Sequence, residues 1–140
     1  MNNEKRWRQR FENFEKSFQV FQRRIEALEK NPEDEGYQMA LVQSFEITLE
    51  LSWKTLRDFL ENGGIKWNNI PKNVIRHAFS AEIISSPEEW MNAIDIRNKT
   101  SHTYKEDILE EVIDFIKKSF CPLVRDLYED LKKEIESQEL

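Results

Sequence analysis

The sequence predicts an all-α protein, an antiparallel up-and-down four-helix bundle with one extra short helix. Three observations carry this. Turn formers are scarce, with three Gly and four Pro in 140 residues, while 34% of residues are charged and 39% apolar. That balance favours helix over sheet. Apolar residues recur at steps of four and three over long stretches, which is one face of a helix and not the alternation of a strand. The length suits one domain spanning residues 1–140, with nine Phe and four Trp supplying core volume.

Trp7, Phe11, Phe14, Phe18, Phe21, Ile25 and Leu28 form an unbroken 4-3 seam, the pattern of a long helix lying nearly parallel to a neighbour. Arg8, Arg10, Glu12, Lys16, Gln22, Arg23 and Glu26 fill the solvated face between them. Asn31-Pro32 ends the helix, because the residue before proline is pushed out of the helical region.

A second helix opens near Pro32-Glu33-Asp34-Glu35, acidic as an N-terminal turn prefers. Its seam is Val42, Phe45, Leu49, Ser52, Leu56 and Phe59, widened by Leu41, Trp53 and Leu60. Gly63-Gly64 stops it, one glycine supplying the left-handed residue. Glu46, Glu50, Lys54 and Arg57 run beside the seam at helical spacing. They read as i,i+4 pairs worth a few tenths of a kcal/mol each. Because they flank Trp53, Glu46, Glu50, Trp53 and Lys54 are also a candidate partner or ligand surface.

After a short loop carrying Trp67, Pro71 sits well as a first helical residue. The short helix that follows has Val74, Ile75, Ala78, Phe79 and Ile83 on its apolar side. Arg76 and His77 lie beside it, His77 reading as a surface or partly packed residue. Ser85-Ser86-Pro87-Glu88-Glu89 then gives a cap, a proline and acids in the order a helix start demands. Trp90, Ala93 and Ile94 face inward, and the next position on that stripe is Arg97. The last helix opens at Glu106-Asp107 and runs through Leu109, Ile113, Ile116, Phe120, Leu123, Leu127 and Leu131. Pro122 kinks or splits it.

A net charge of −6 argues against a protein that simply coats nucleic acid, since that binding is driven by Lys and Arg. The one cysteine, Cys121, reads as a buried thiol and leaves no internal disulfide or Cys-based zinc site. With no membrane-length apolar run and no signal peptide, a cytoplasmic protein is expected. A Gly-rich phosphate loop, a paired-Asp transferase motif and a metal-ligand cluster are all missing. No metal or cofactor is therefore expected, and the chain is not itself a nucleotidyltransferase.

The chemistry concentrates in Arg97-Asn98-Lys99-Thr100-Ser101-His102-Thr103-Tyr104. A near-neutral imidazole can move a 2′-OH proton, and a guanidinium can neutralise a phosphorane, so Arg97 and His102 suffice for metal-free RNA cleavage. Asn98, Ser101 and Thr103 can orient by hydrogen bonds. Spaced five apart, Arg97 and His102 lie ~140° around a continuous helix. They converge only if the helix ends between them or across a symmetric interface. Lys99, His102 and Lys105 equally read as cations that complement a helix C-terminus.

These residues resemble the R-x4-H-x-Y motif of the HEPN superfamily, with Arg97, His102 and Tyr104 as the matching positions and Asn98 as the frequent polar residue after the Arg. The whole chain is similar to the nucleotidyltransferase substrate-binding subunit family. Ser44-Phe45-Glu46 through Glu50-Leu51-Ser52-Trp53-Lys54 resembles that family's second-helix signature, and Arg97-Asn98 through Ser101-His102-Thr103-Tyr104 its fourth. The resemblance implies a homodimeric bundle in complex with a small nucleotidyltransferase encoded nearby, in a toxin–antitoxin-like module. By the same resemblance Arg97 and His102 would be catalytic in a metal-independent endoribonuclease. Asn98 and Ser101 would support them, and Tyr104 would accept the silencing adenylyl groups. The family name implies an alternative, a non-catalytic subunit that binds the transferase's nucleotide or other substrate.

Overall fold

The computed structural model describes residues 3–64, 69–100 and 106–138. Among them every regular element is helical: α1 (Asn3–Lys30), α2 (Glu35–Asn62), α3 (Pro71–Ser80), α4 (Pro87–Thr100), α5 (Glu106–Phe115), a π-helical turn (Ile116–Phe120) and α6 (Cys121–Gln138). The all-α expectation holds.

α1 and α2 form the spine. Their antiparallel register is read from cross-pairs that descend along α2 as α1 ascends: Arg6 with Glu61, Arg10 with Asp58, and Ser17 with Thr48. The turn between them is closed by Asp34, whose carboxylate accepts from the Tyr37 N–H at 3.0 Å and so satisfies one open donor of the first turn. At the far end the Gly63 N–H donates to the Phe59 and Leu60 carbonyls, and Gly64 takes φ +93°, a conformation that favours glycine.

The predicted α1 seam is the core. Trp7, Phe11, Phe14, Phe18, Phe21 and Leu28 are buried and Ile25 is half-buried. From α2, Leu41, Val42, Phe45, Leu49, Leu56 and Leu60 meet them, each fully buried apolar side chain contributing ~1.5–3 kcal/mol. Ser52 belongs to the same seam because its hydroxyl donates to the Thr48 carbonyl at 2.6 Å, so its burial leaves no polar group unpaired.

α6 returns antiparallel to α1. Tyr128 donates to the Glu15 carboxylate and stacks on Phe11 with ring centroids 5.7 Å apart, while Phe120 meets Phe21 edge-on at 5.5 Å. Pro122 acts through register rather than by a simple kink. It has no N–H to donate, and in the turn before it the Cys121 N–H reaches back five residues to the Ile116 carbonyl. The helix thus takes up one extra residue and continues.

Three expectations need correcting. Ile83 lies beyond α3, which ends at Ser80, and so is not on that helix. Phe79 is 49% exposed, because Val74, Ile75 and Ala78 already fill the core side of α3. Cys121 is half-buried and not fully enclosed. Burial still raises its thiol above the usual 9.0. The loop residue Trp67 lies outside the described residues.

Candidate functional site

α4 packs beside α2, anchored by Trp90, Ala93 and Ile94, all buried. One turn further along the same stripe stands Arg97, half-buried in the last turn of the helix. Helix periodicity places it there: residues 90, 93, 94 and 97 share one face. The stripe therefore changes from apolar to cationic where it reaches the edge of the core. The Thr100 hydroxyl donates to the Arg97 carbonyl at 2.9 Å, satisfying one of the last carbonyls of α4.

Arg97 lines two concavities at once. The larger is an open groove of about 600 Å³ along α2, floored by Met39, Ala40, Gln43 and Ile47 and rimmed by Glu46 and Glu50. The smaller is a pocket of about 170 Å³ between α2 and α4, walled by Leu49, Trp53, Pro71 and Ile94, with Glu50, Arg97 and Asn98 as its polar members. Arg97 and Glu50 border both. Among the described residues, no ion pair or side-chain hydrogen bond holds the Arg97 guanidinium. A half-buried cation is costly unless an anion meets it. The charged groups that share its linings are the Glu46 and Glu50 carboxylates.

The second-helix residues divide into two sets. Glu50 pairs with Lys54 at 3.0 Å on the surface, an exposed i,i+4 pair of small worth. Lys54 and Arg57 lie over the Trp53 ring at 5.8 and 5.7 Å from its centroid. Arg57 departs from the expected solvated line. Its side chain is only 13% exposed, and it donates to buried Asp58 at 3.0 Å and to Asn69 at 2.6 Å. Arg10 donates to the other Asp58 oxygen at 3.0 Å, so this carboxylate ties α1 and α2 together.

The structure therefore brings Glu46 and Glu50 to the groove with Arg97, and Glu50 and Trp53 to the pocket with Arg97 and Asn98, while Lys54 lies over Trp53. Ser101, His102 and Tyr104 lie outside the described residues. Sequence reasoning missed the groove floor and the pocket's apolar walls. Met39 and Ile47 are 38% and 48% exposed and sit off the predicted α2 seam. Large apolar residues on the charged side of a helix were the available signal.

An all-helical fold with Arg97 and Asn98 near the end of its fourth helix agrees with the HEPN-type class. The chain belongs to the family described as nucleotidyltransferase substrate binding protein like, whose model matches residues 9–133. A relative of known description is the probable ribonuclease HepT of Haemophilus influenzae, 30% identical over 83 residues. That match covers 54% of this chain and 57% of the relative, so the chain spans little more than half the length of that protein. No described helix is long and apolar enough to cross a membrane.

Proposed function

We propose that this chain is a metal-independent endoribonuclease of the HEPN type that works as a homodimer and pairs with a minimal nucleotidyltransferase in a toxin–antitoxin-like module. The observation that carries the reading is Arg97, a half-buried guanidinium without a side-chain partner among the described residues, set where two concavities meet. The probable-ribonuclease description of the H. influenzae relative and the family's description support the two halves of the proposal.

In this mechanism the His102 imidazole takes the proton of a ribose 2′-OH. The 2′-oxygen attacks the adjacent phosphorus and the 5′-oxygen leaves, taking a proton from water, to give a 2′,3′-cyclic phosphate and a 5′-hydroxyl. Arg97 neutralises the charge that builds on the phosphorane oxygens, and Asn98 and Ser101 orient the groups. A homodimer supplies the second wall: the exposed Met39 and Ile47 of the open groove are the surface a second copy would cover. The RNA would then lie in the cleft between copies. Tyr104 is the adenylyl acceptor, and its modification would add bulk and negative charge to the motif.

The test is incubation of the purified chain, free of its partner, with RNA in EDTA. Cleavage leaving cyclic phosphate ends is expected, with a loss of ~100-fold or more in His102→Ala and in Arg97→Ala. Unchanged cleavage in His102→Ala overturns the reading. The surface formed by Glu46, Glu50, Trp53 and Lys54 favours a second reading, a subunit that binds nucleotide or substrate for the transferase. It requires transferase activity that depends on this chain and survives His102→Ala. Intact-mass analysis after co-expression with the transferase distinguishes AMP additions on Tyr104 from mere complex formation.

A further inference from the structure

We propose that the pocket between α2 and α4 is a nucleobase subsite that selects bases carrying an exocyclic amine, adenine, cytosine or guanine, over uracil. The proposal deepens the ribonuclease reading, resting on it only for the claim that Arg97 engages the neighbouring phosphate.

Size comes first. At about 170 Å³ the pocket is well below the ~300–1,000 Å³ typical of sites for whole small molecules. It suits one flat heterocycle whose sugar and phosphate stay outside. Its walls fit the same occupant: Leu49, Ile94 and Pro71 are apolar and Trp53 is aromatic. Aromatic and apolar walls hold bases of any sequence, because every base presents a π face.

The polar members are what discriminate. Glu50 is the one carboxylate lining the pocket, and Asn98 the one amide. A carboxylate only accepts hydrogen bonds, so it rewards an exocyclic amine on the base edge, whereas uracil's single donor, N3–H, is flanked by two carbonyls that the carboxylate repels. Glu50 is available for this, because its pairing with Lys54 is an exposed contact that a ligand can displace at little cost. Arg97 stands at the junction of pocket and groove, where the phosphate attached to a seated base would emerge. Lys54 and Arg57 over the Trp53 ring add positive charge beside that path.

The experiment titrates the full chain with CMP, AMP, GMP and UMP and follows the Trp53 indole resonance, assigned with Trp53→Phe. The amine-bearing nucleotides are expected to bind about tenfold more tightly than UMP. Glu50→Gln should bring the four within about twofold, since an amide can both donate and accept. Equal binding of all four to the wild type, a preference that persists in Glu50→Gln, or no shift at Trp53 overturns the proposal. Mapping cut sites in a random RNA separates the two sources of the base. The same bias beside the cut places the pocket on the RNA path, whereas binding bias without cut-site bias overturns that placement and assigns the pocket to a free nucleotide. Binding bias with no RNA cleavage at all leaves the pocket standing while the ribonuclease reading falls.

Discussion

The two sides of α2 are built on different terms. Toward α1 and α6 its side chains are mostly apolar and buried, and three of the polar residues there have named partners: Ser52 the Thr48 carbonyl, Thr55 the Leu51 carbonyl, and Asp58 two guanidiniums. Toward α4 the same helix presents Glu46, Glu50 and Trp53 to open concavities, and across from them Arg97 stands without a side-chain partner among the described residues. One side stores stability mainly in close packing. The other leaves the Arg97 guanidinium without a side-chain partner among the described residues, which stability alone does not explain. The difference teaches where to look for chemistry: on the side where the accounts of charge are left open.

The largest effect that sharpens this contrast should come from the packed side. Phe120 is fully buried and meets Phe21, Phe45 and Trp90 at centroid distances of 5.5, 4.8 and 6.2 Å. Phe120→Ala empties a fully buried site, at an expected cost of ~3–5 kcal/mol in denaturant unfolding. A cost under ~1 kcal/mol would show that this core is loosely packed and would remove the contrast.

Next is the charged joint within that side. Asp58, 1% exposed, receives Arg10 and Arg57, whose side chains are 29% and 13% exposed. Asp58→Asn keeps the shape but leaves two cations facing a neutral amide. A loss of ~2 kcal/mol is expected, below the 3–5 of a fully buried pair because both guanidiniums reach some solvent. Adding Arg10→Met should recover part of it. Strict additivity of the two changes would mean that the contact carries no coupling.

Most of the fold was legible in the sequence, and the reason is periodicity. Trp7 through Leu28 and Val42 through Leu56 repeat at helical spacing without interruption, and the punctuation at Pro32, Gly63-Gly64, Pro71 and Pro87 falls at or within a few residues of the helix ends. What escaped was tertiary. Helical spacing puts Arg57 on the solvated line, and what turns it inward is its neighbour Asp58, buried because Arg10 on another helix meets it. Sequence spacing also does not give the response to Pro122, where the backbone can kink, break or absorb a residue and here does the last. The site was half legible: the motif residues stood out as chemistry, but Leu49, Ile94 and Pro71 read as ordinary core and only their meeting makes a pocket.

The smallest effect belongs to the open side and tests the contrast most directly. Glu50 and Lys54 form an exposed pair at 3.0 Å, and such pairs contribute ~0.2–0.5 kcal/mol on a helix surface. Glu50→Gln and Lys54→Ala should therefore each shift the unfolding midpoint by less than ~0.5 kcal/mol. Raising the salt concentration should shrink even that difference, since screening falls on exposed charges first. If either substitution instead costs 2 kcal/mol or more, on the order of a broken buried network, the carboxylate is part of the frame. If both are neutral to folding while nucleotide preference changes in Glu50→Gln, then α2 divides its labour by face, with stability on one side and recognition on the other.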